Sequence, residues 1–399
     1  MYRLIRGSEC YWAVGKKQVV RLPVSCVSAD GQVAEPVARR LAAANMSPEA
    51  DPTLYHMTVV ITTQCNLACS YCFQNTEQAD PGRSGPPPRI PRVALTAESR
   101  SAILDFGRRQ MAERGADKLD LMLFGGEPTL HLDSCLRLLE GAQQLGLVSA
   151  SMISNGTRLG AEAAVALERA GLRSVQITLD GDAPVHDTLR VTVGGGGTFE
   201  RIIANLAEAG PRTSQLEWNL RVNLSADSIG TADALLDRLS ERLDPRRFNL
   251  GFSLVNDAGI GFADALSPNA AMAERVSALY RRALDAGFGV HPPFIPECRA
   301  CDAFGGRTGA VVNGDGTLYS CWESIGKEGY EVGTIGDGYL PDETIRPRWV
   351  SCGFSADHQP SASAARAYYD GVDAVILDWL HAAGRLGRPR AERVEQATA

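Results

Sequence analysis

The sequence predicts an α/β protein built on a partial (β/α)6 TIM-like barrel, followed by a small C-terminal β-hairpin and helix unit. Three observations predict it. From residue 57 onward, short apolar segments alternate with longer amphipathic ones in six units over about 230 residues, the rhythm of parallel strands joined by helices. In the longer segments apolar residues recur every three or four positions, which puts them on one helix face. After about residue 289 the rhythm gives way to a Pro-, Gly- and Cys-rich stretch, in which NGDG reads as a hairpin turn between two short strands.

Taken in order, residues 1–55 hold two short β-like pieces, ECYWAVG and KKQVVRLPV, and a polar, Ala-rich helical stretch. They read as an N-terminal cap or a peptide-binding segment. The barrel region, 56–289, opens with the strand MTVVITT and the helix TAESRSAILDFGRRQMAERG. It continues through the pairs KLDLMLF and LDSCLRLLEGAQQLG, SASMIS and AEAAVALERAG, then SVQITLD and TFERIIANLAEAG. EWNLRVNLS with TADALLDRLSERL, and RFNLGFSLV with NAAMAERVSALYRRALDAG, complete it. QADPGRSGPPPRIPR interrupts the rhythm as a flexible loop, and GGGG as a mobile turn. Residues 290–357 carry the Cys-rich hairpin, and 358–399 one more amphipathic helix and a polar tail.

Of the 399 residues 44% are hydrophobic, enough for a sizeable core, and the net charge of −7 gives no support for a nucleic-acid binder. No apolar run approaches the roughly 18 residues of a membrane span. The N-terminus lacks a signal-peptide apolar region, so a soluble cytoplasmic protein is expected. In a reducing compartment clustered cysteines point to metal or catalysis rather than disulfides. Seven of the ten cysteines fall in two clusters; Cys10, Cys26 and Cys135 are scattered and read as small buried hydrophobes.

The first cluster, TTQCNLACSYCFQN, places Cys65, Cys69 and Cys72 just past the first barrel strand, on a loop at the strand's C-terminal end, where barrel chemistry sits. Three thiolates can hold three irons of a [4Fe–4S] cluster and leave the fourth open. A structural zinc site is the rival, but it needs four ligands, and this loop offers three. The second strand ends in LFGGEPTL, where Gly125 and Gly126 allow close backbone approach to a ligand and Glu127 supplies a carboxylate.

The CxxxCxxC spacing followed by GGEP resembles the radical S-adenosylmethionine (SAM) family over about residues 57–289. The resemblance implies that SAM chelates the open iron through its amino and carboxylate groups. One electron then cleaves a C–S bond, and a 5′-deoxyadenosyl radical abstracts hydrogen from substrate. It also implies roles for individual positions. Glu127 meets the SAM ammonium, Tyr71 packs on adenine, and Ser154 and Asn155 reach the ribose hydroxyls. Asp180 binds ribose or substrate, while Arg221 and Asn223 meet the carboxylate or ribose. His186 and Asp187 could line the mouth, although packing explains His186 equally well; no acid or base is assigned. A flavodoxin or ferredoxin is the expected reductant.

Downstream, Cys298 and Cys301 precede a hairpin ending at Cys321, with Cys352 beyond it. Four cysteines suffice for one fully ligated [4Fe–4S] cluster. A zinc ribbon is the alternative, but it has two close pairs where this segment has one. The segment resembles the SPASM/Twitch extension of radical SAM enzymes, without the later cysteines of a second auxiliary cluster. Two [4Fe–4S] clusters in all are therefore expected, the auxiliary one transferring electrons in a net oxidation. Enzymes with such extensions often modify ribosomal peptides (RiPPs), which implies oxidative crosslinking or related modification of a precursor peptide. Dehydrogenation of a small natural-product intermediate is the alternative.

Overall fold

The computed structural model describes residues 2–15, 18–44, 46, 51–78, 85–257, 260–290, 304–350 and 362–386. An N-terminal antiparallel sheet comprises β1 (Arg3–Arg6), β2 (Cys10–Val14) and β3 (Val19–Pro23), with β2 central, and is followed by helix α1 (Glu35–Ala43). The barrel then runs β4 (Leu54–Thr62), α2 (Ala97–Arg114), β5 (Lys118–Gly125), α3 (Leu132–Gln143), β6 (Leu147–Ser154), α4 (Ala161–Ala170) and β7 (Ser174–Leu179). It continues with α5 (Ala183–Leu189), α6 (Phe199–Arg212), β8 (Glu217–Leu224), α7 (Ala232–Arg242), β9 (Phe248–Leu254) and α8 (Ala270–Asp285). Strands β4 to β9 pair in sequence order and all in parallel.

Among the described residues β9 does not pair back onto β4, so the barrel is open. Its sheet instead grows outward from β4. Strand β10 (Gly309–Val312) lies parallel to β4, and β11 (Thr317–Tyr319), β12 (Gly333–Thr334) and β13 (Gly338–Tyr339) follow as antiparallel neighbours. The NGDG turn joins β10 to β11, with Gly316 at φ 91°. The C-terminal hairpin is thus continuous with the barrel sheet, on the edge of the strand that leads into Cys65. Short helix α9 (Asp342–Ile345) and long helix α10 (Ala362–Ala382) end the described chain.

Local chemistry explains the element ends. Thr96 and Ser99 form a reciprocal capping box at the start of α2, and Gly115 closes it in a left-handed conformation. The strands that carry the core read as continuous apolar runs: Val59, Val60, Ile61, Leu121, Leu123, Val175 and Ile177 are all buried, as a sheet covered by helices requires. Cys135 and Cys10 are buried among apolar side chains, whereas Cys26 is partly exposed. Among the described residues no helix is long and apolar enough to cross a membrane.

The N-terminal sheet is fixed to the barrel through α10, which packs on both β1 and α8. The Asp378 carboxylate accepts from the indole N–H of fully buried Trp12 at 2.8 Å and from the Ser8 amide at 2.7 Å. Asp378→Ala would leave the Trp12 N–H buried without an acceptor. The expected loss is about 2 kcal/mol of unfolding free energy in urea; an unchanged midpoint would mean that this contact does not hold the sheet down.

Candidate functional site

The C-terminal ends of the barrel strands surround a cavity of about 270 Å³. Its wall includes Cys65, Cys69 and Cys72 after β4, Gly125 and Gly126 at the end of β5, and Ser154 and Asn155 at the end of β6. Arg190 after α5, Arg221 and Asn223 on β8, and Trp322 and Glu323 after β11 complete the polar and outer parts. A barrel whose strands point one way delivers residues from distant parts of the chain to this end.

The two glycines are needed for a backbone contact. A Cβ at Gly125, whose φ is 148°, would lie 2.1 Å from the Thr62 carbonyl oxygen, and one at Gly126 would lie 2.3 Å from that of Gln64. The close approach lets the Gly126 amide donate to Thr62 O at 2.8 Å and the Glu127 amide to Gln64 O at 2.9 Å. The base of the cysteine loop is thereby tied to the GGE turn.

The loop itself is held from two further sides. Asn75, which is buried, donates its side-chain amide to the carbonyls of Cys69 (3.1 Å) and Ser70 (3.3 Å). The Ala68 amide donates to Val191 O, and the Val193 amide to Asn66 O. Leu67 donates its amide to Cys65 Sγ at 3.4 Å, and Asn155 Nδ2 stands 3.7 Å from the same sulfur. Burial raises the pKa of the Cys65 thiol, with nearby Arg89 opposing, and pushes Cys69 up to about 12. Among the described residues no three His, Cys, Asp or Glu side chains converge on a single ion. A cluster that takes one thiolate per iron does not require that convergence.

Glu127 is placed differently from the sequence expectation. Its carboxylate is fully buried and does not line the cavity. It accepts from the Thr129 amide and hydroxyl, from Ser154 Oγ at 2.8 Å and from the Asn155 amide at 2.6 Å. Burial raises its pKa, and those four donors pull the other way. Glu127 therefore fixes the two β6-end residues that do face the cavity, and through Asn155 it reaches the sulfur of Cys65.

Tyr71, Asp180, Arg221 and Asn223 meet in one buried network, joined by Arg190. The Tyr71 hydroxyl donates to Asp180 Oδ2 and accepts from Arg190 Nη1 at 2.8 Å and Asn223 Nδ2 at 3.1 Å. Arg221 Nε donates to Asn223 Oδ1 at 2.9 Å. The Tyr71 ring packs on Phe262, with centroids 5.7 Å apart. Burial raises the pKa of Asp180, opposed by Arg190, and Oδ1 of Asp180 has no hydrogen-bond partner among the described residues. Sequence reading missed Arg190, because its partners lie 10 to more than 100 positions away and no local pattern marks it.

His186 and Asp187 are structural. His186 Nδ1 accepts from the Asp180 amide and Nε2 faces Thr198 Oγ1 at 3.1 Å; burial lowers its pKa to about 3, so it stays neutral. Asp187 Oδ1 accepts from the Thr198 and Phe199 amides and so starts α6 after the GGGG turn. Of the second cysteine cluster, Cys321 is buried two positions after β11, while Cys298, Cys301 and Cys352 lie outside the described residues.

The radical SAM superfamily model matches residues 59–216, which take in the end of β4 with the cysteine loop, the GGE turn and the β6 and β7 ends. Residues 59–216 are thus a radical SAM domain. It is 28% identical to the PqqA peptide cyclase of Ruegeria pomeroyi, over 77% of this chain and 78% of that one. To the GTP 3′,8-cyclase of Xanthomonas campestris pv. campestris it is 26% identical, over 70% and 82%. A mycofactocin maturase of Mycobacterium ulcerans matches at 29% over 47% and 45%. Among solved structures, native anSMEcpe with bound AdoMet shares the fold with a TM-score of 0.57 at 14% identity, over 83% of this chain and all of that one.

The site fits the group that the superfamily implies. Three thiols share a cavity wall with a glycine turn, and polar atoms buried there lack protein partners, including Gln74 Nε2 and Arg190 Nε. Cys65, Cys69 and Cys72 would hold the cluster, and the remaining wall would hold SAM. Glu127→Ala would strand the donors of Thr129, Ser154 and Asn155. The expected loss is about 3 kcal/mol in chemical denaturation; a loss under about 0.5 kcal/mol would contradict the buttressing role assigned to the carboxylate.

Proposed function

We propose that this radical SAM enzyme oxidatively modifies a precursor peptide, forming a crosslink or a related product. The observation that carries the reading is the cavity wall itself, where three cysteines and the Gly125–Gly126 turn meet at the C-terminal ends of parallel strands. With the cluster and SAM bound, reductive cleavage supplies a 5′-deoxyadenosyl radical that takes a hydrogen atom from substrate. The chain's own residues orient and shield that chemistry. Asn75 and the Gly125–Gly126 contact fix the cysteine loop, and Phe73, Phe124 and Trp322 make an apolar wall that excludes water, the rings stacked at 6.2 and 5.7 Å. Ser154, Asn155, Arg221 and Asn223 are the polar contacts for SAM, with Tyr71 beside them.

Two relatives whose names denote peptide cyclisation and maturation favour a peptide substrate. The GTP cyclase relative favours the second reading, a small-molecule substrate. An auxiliary [4Fe–4S] cluster held by Cys298, Cys301, Cys321 and Cys352 in a SPASM/Twitch-like unit would accept the electron that a net oxidation releases. What supports this ligand set is the convergence of its flanks. Val350, two positions before Cys352, donates its amide to Ser320 Oγ at 3.1 Å, beside Cys321. Phe304, three positions after Cys301, packs on Trp349 with centroids 4.8 Å apart. A flavodoxin or ferredoxin would reduce the SAM cluster in the cytoplasm.

Replacing Cys65, Cys69 and Cys72 together by Ala should abolish 5′-deoxyadenosine formation under reductant. Turnover surviving in that variant would refute the assignment. Replacing Cys298 and Cys321 should remove about four irons per chain and leave the SAM-cluster signal intact. Equal iron in variant and wild type would refute the auxiliary site.

A further inference from the structure

Within the cavity wall, one pair of donors has neither been assigned a role nor satisfied by the fold. Gln74, two positions after Cys72, is 2% exposed. Its Oε1 accepts from Arg89 Nη2 at 2.6 Å, while its Nε2 has no partner among the described residues. Arg89 Nε is also buried without a partner. Both residues line the same cavity as the three cysteines.

The pair is built rather than incidental. Residues 74–76 and 88–90 run side by side, with the Ile90 amide donating to Gln74 O at 3.1 Å, the Thr76 amide to Pro88 O at 2.9 Å, and Asn75 bridged to Arg89. Asn75 in turn grips the cysteine loop. The two donors are thus fixed relative to Cys69 and Cys72 before any ligand arrives.

Charge separates this pair from Arg190. Arg190 stands 3.9 Å from Asp180 and donates to Tyr71, so its charge is balanced inside the protein. Arg89 forms no ion pair with any described acidic residue, and among the described residues its only side-chain partner is the neutral amide of Gln74. A buried donor left unmade is costly, so a fold that keeps two on one hydrogen-bonded pair reserves them for an acceptor. A guanidinium next to an amide N–H matches the two oxygens of a carboxylate.

We propose that Gln74 and Arg89 form a carboxylate-binding subsite in the wall beside Cys72. The inference deepens the proposed function and rests on it. Two carboxylates could come to this cavity, that of SAM's own methionine end and one carried by the substrate.

The test uses the iron-loaded protein and its Arg89→Met and Gln74→Leu variants, with equal iron content showing that each variant has folded. SAM affinity is compared with that for 5′-methylthioadenosine, which lacks the amino-acid end. The electron paramagnetic resonance (EPR) signal of the reduced, SAM-bound protein is then followed as N-acetylglycine is added. A fall of about tenfold in SAM affinity with 5′-methylthioadenosine unchanged assigns the subsite to SAM's carboxylate. Unchanged SAM affinity, with an N-acetylglycine response present in wild type and absent from the variants, assigns it to substrate. The proposal is overturned if the variants match wild type with all three ligands, or if SAM and 5′-methylthioadenosine weaken alike. Wild-type protein that binds no SAM would instead fault the proposed function, and that result is visible before any variant is made.

Discussion

The site depends on how closely two strand ends approach. At Gly125 and Gly126 the backbone after β5 comes so near Thr62 and Gln64 that no side chain fits between them. Two backbone hydrogen bonds close the gap and fix where the cysteine loop begins. Beneath the contact, Glu127 gathers Thr129, Ser154 and the Asn155 amide, so the same turn that positions β4's loop also positions the end of β6.

The polar groups divide into two sets with different energetics. Tyr71, Asp180, Arg190, Arg221 and Asn223 largely satisfy one another, and Arg190 balances the buried carboxylate of Asp180. Such a network holds its shape whether or not a ligand is present, because losing any member strands another in a low dielectric. Gln74 and Arg89 keep donors in reserve. Trp322 and Glu323 reach the same cavity from the β11 end, brought there because β10 pairs with β4. The Cys321 region and the SAM cavity are therefore neighbours through one sheet edge.

Much of this was legible in the sequence, for identifiable reasons. Strands β4 to β9 and helices α2, α3, α4, α6, α7 and α8 announce themselves because burial imposes a period on residues that are adjacent in the chain. The cysteine spacing and the GGEP turn are likewise local. What escaped was set by partners far away. Helix α5 read as a mouth-lining loop, since its seven residues carry too little periodicity; its His186 is held by Asp180 and Thr198. Arg190 and the Gln74–Arg89 pair carry no pattern at all. Glu127 was recognisable as a site residue, yet its bonds to Ser154 and Asn155 cross two strands and could not be read from the turn alone. The hairpin was expected as a separate unit, and its pairing with β4 joins residues about 250 positions apart.

The central claim is that Cys65, Cys69 and Cys72 hold a cluster with one iron open to SAM. The most direct measurement is EPR of the reduced protein carrying Cys298→Ala and Cys321→Ala, recorded with and without SAM. The account predicts a reduced-cluster signal whose g-values shift when SAM is added, because SAM becomes a ligand of the open iron. A signal that SAM leaves unchanged, or no cluster signal from a protein that retains iron, would contradict it.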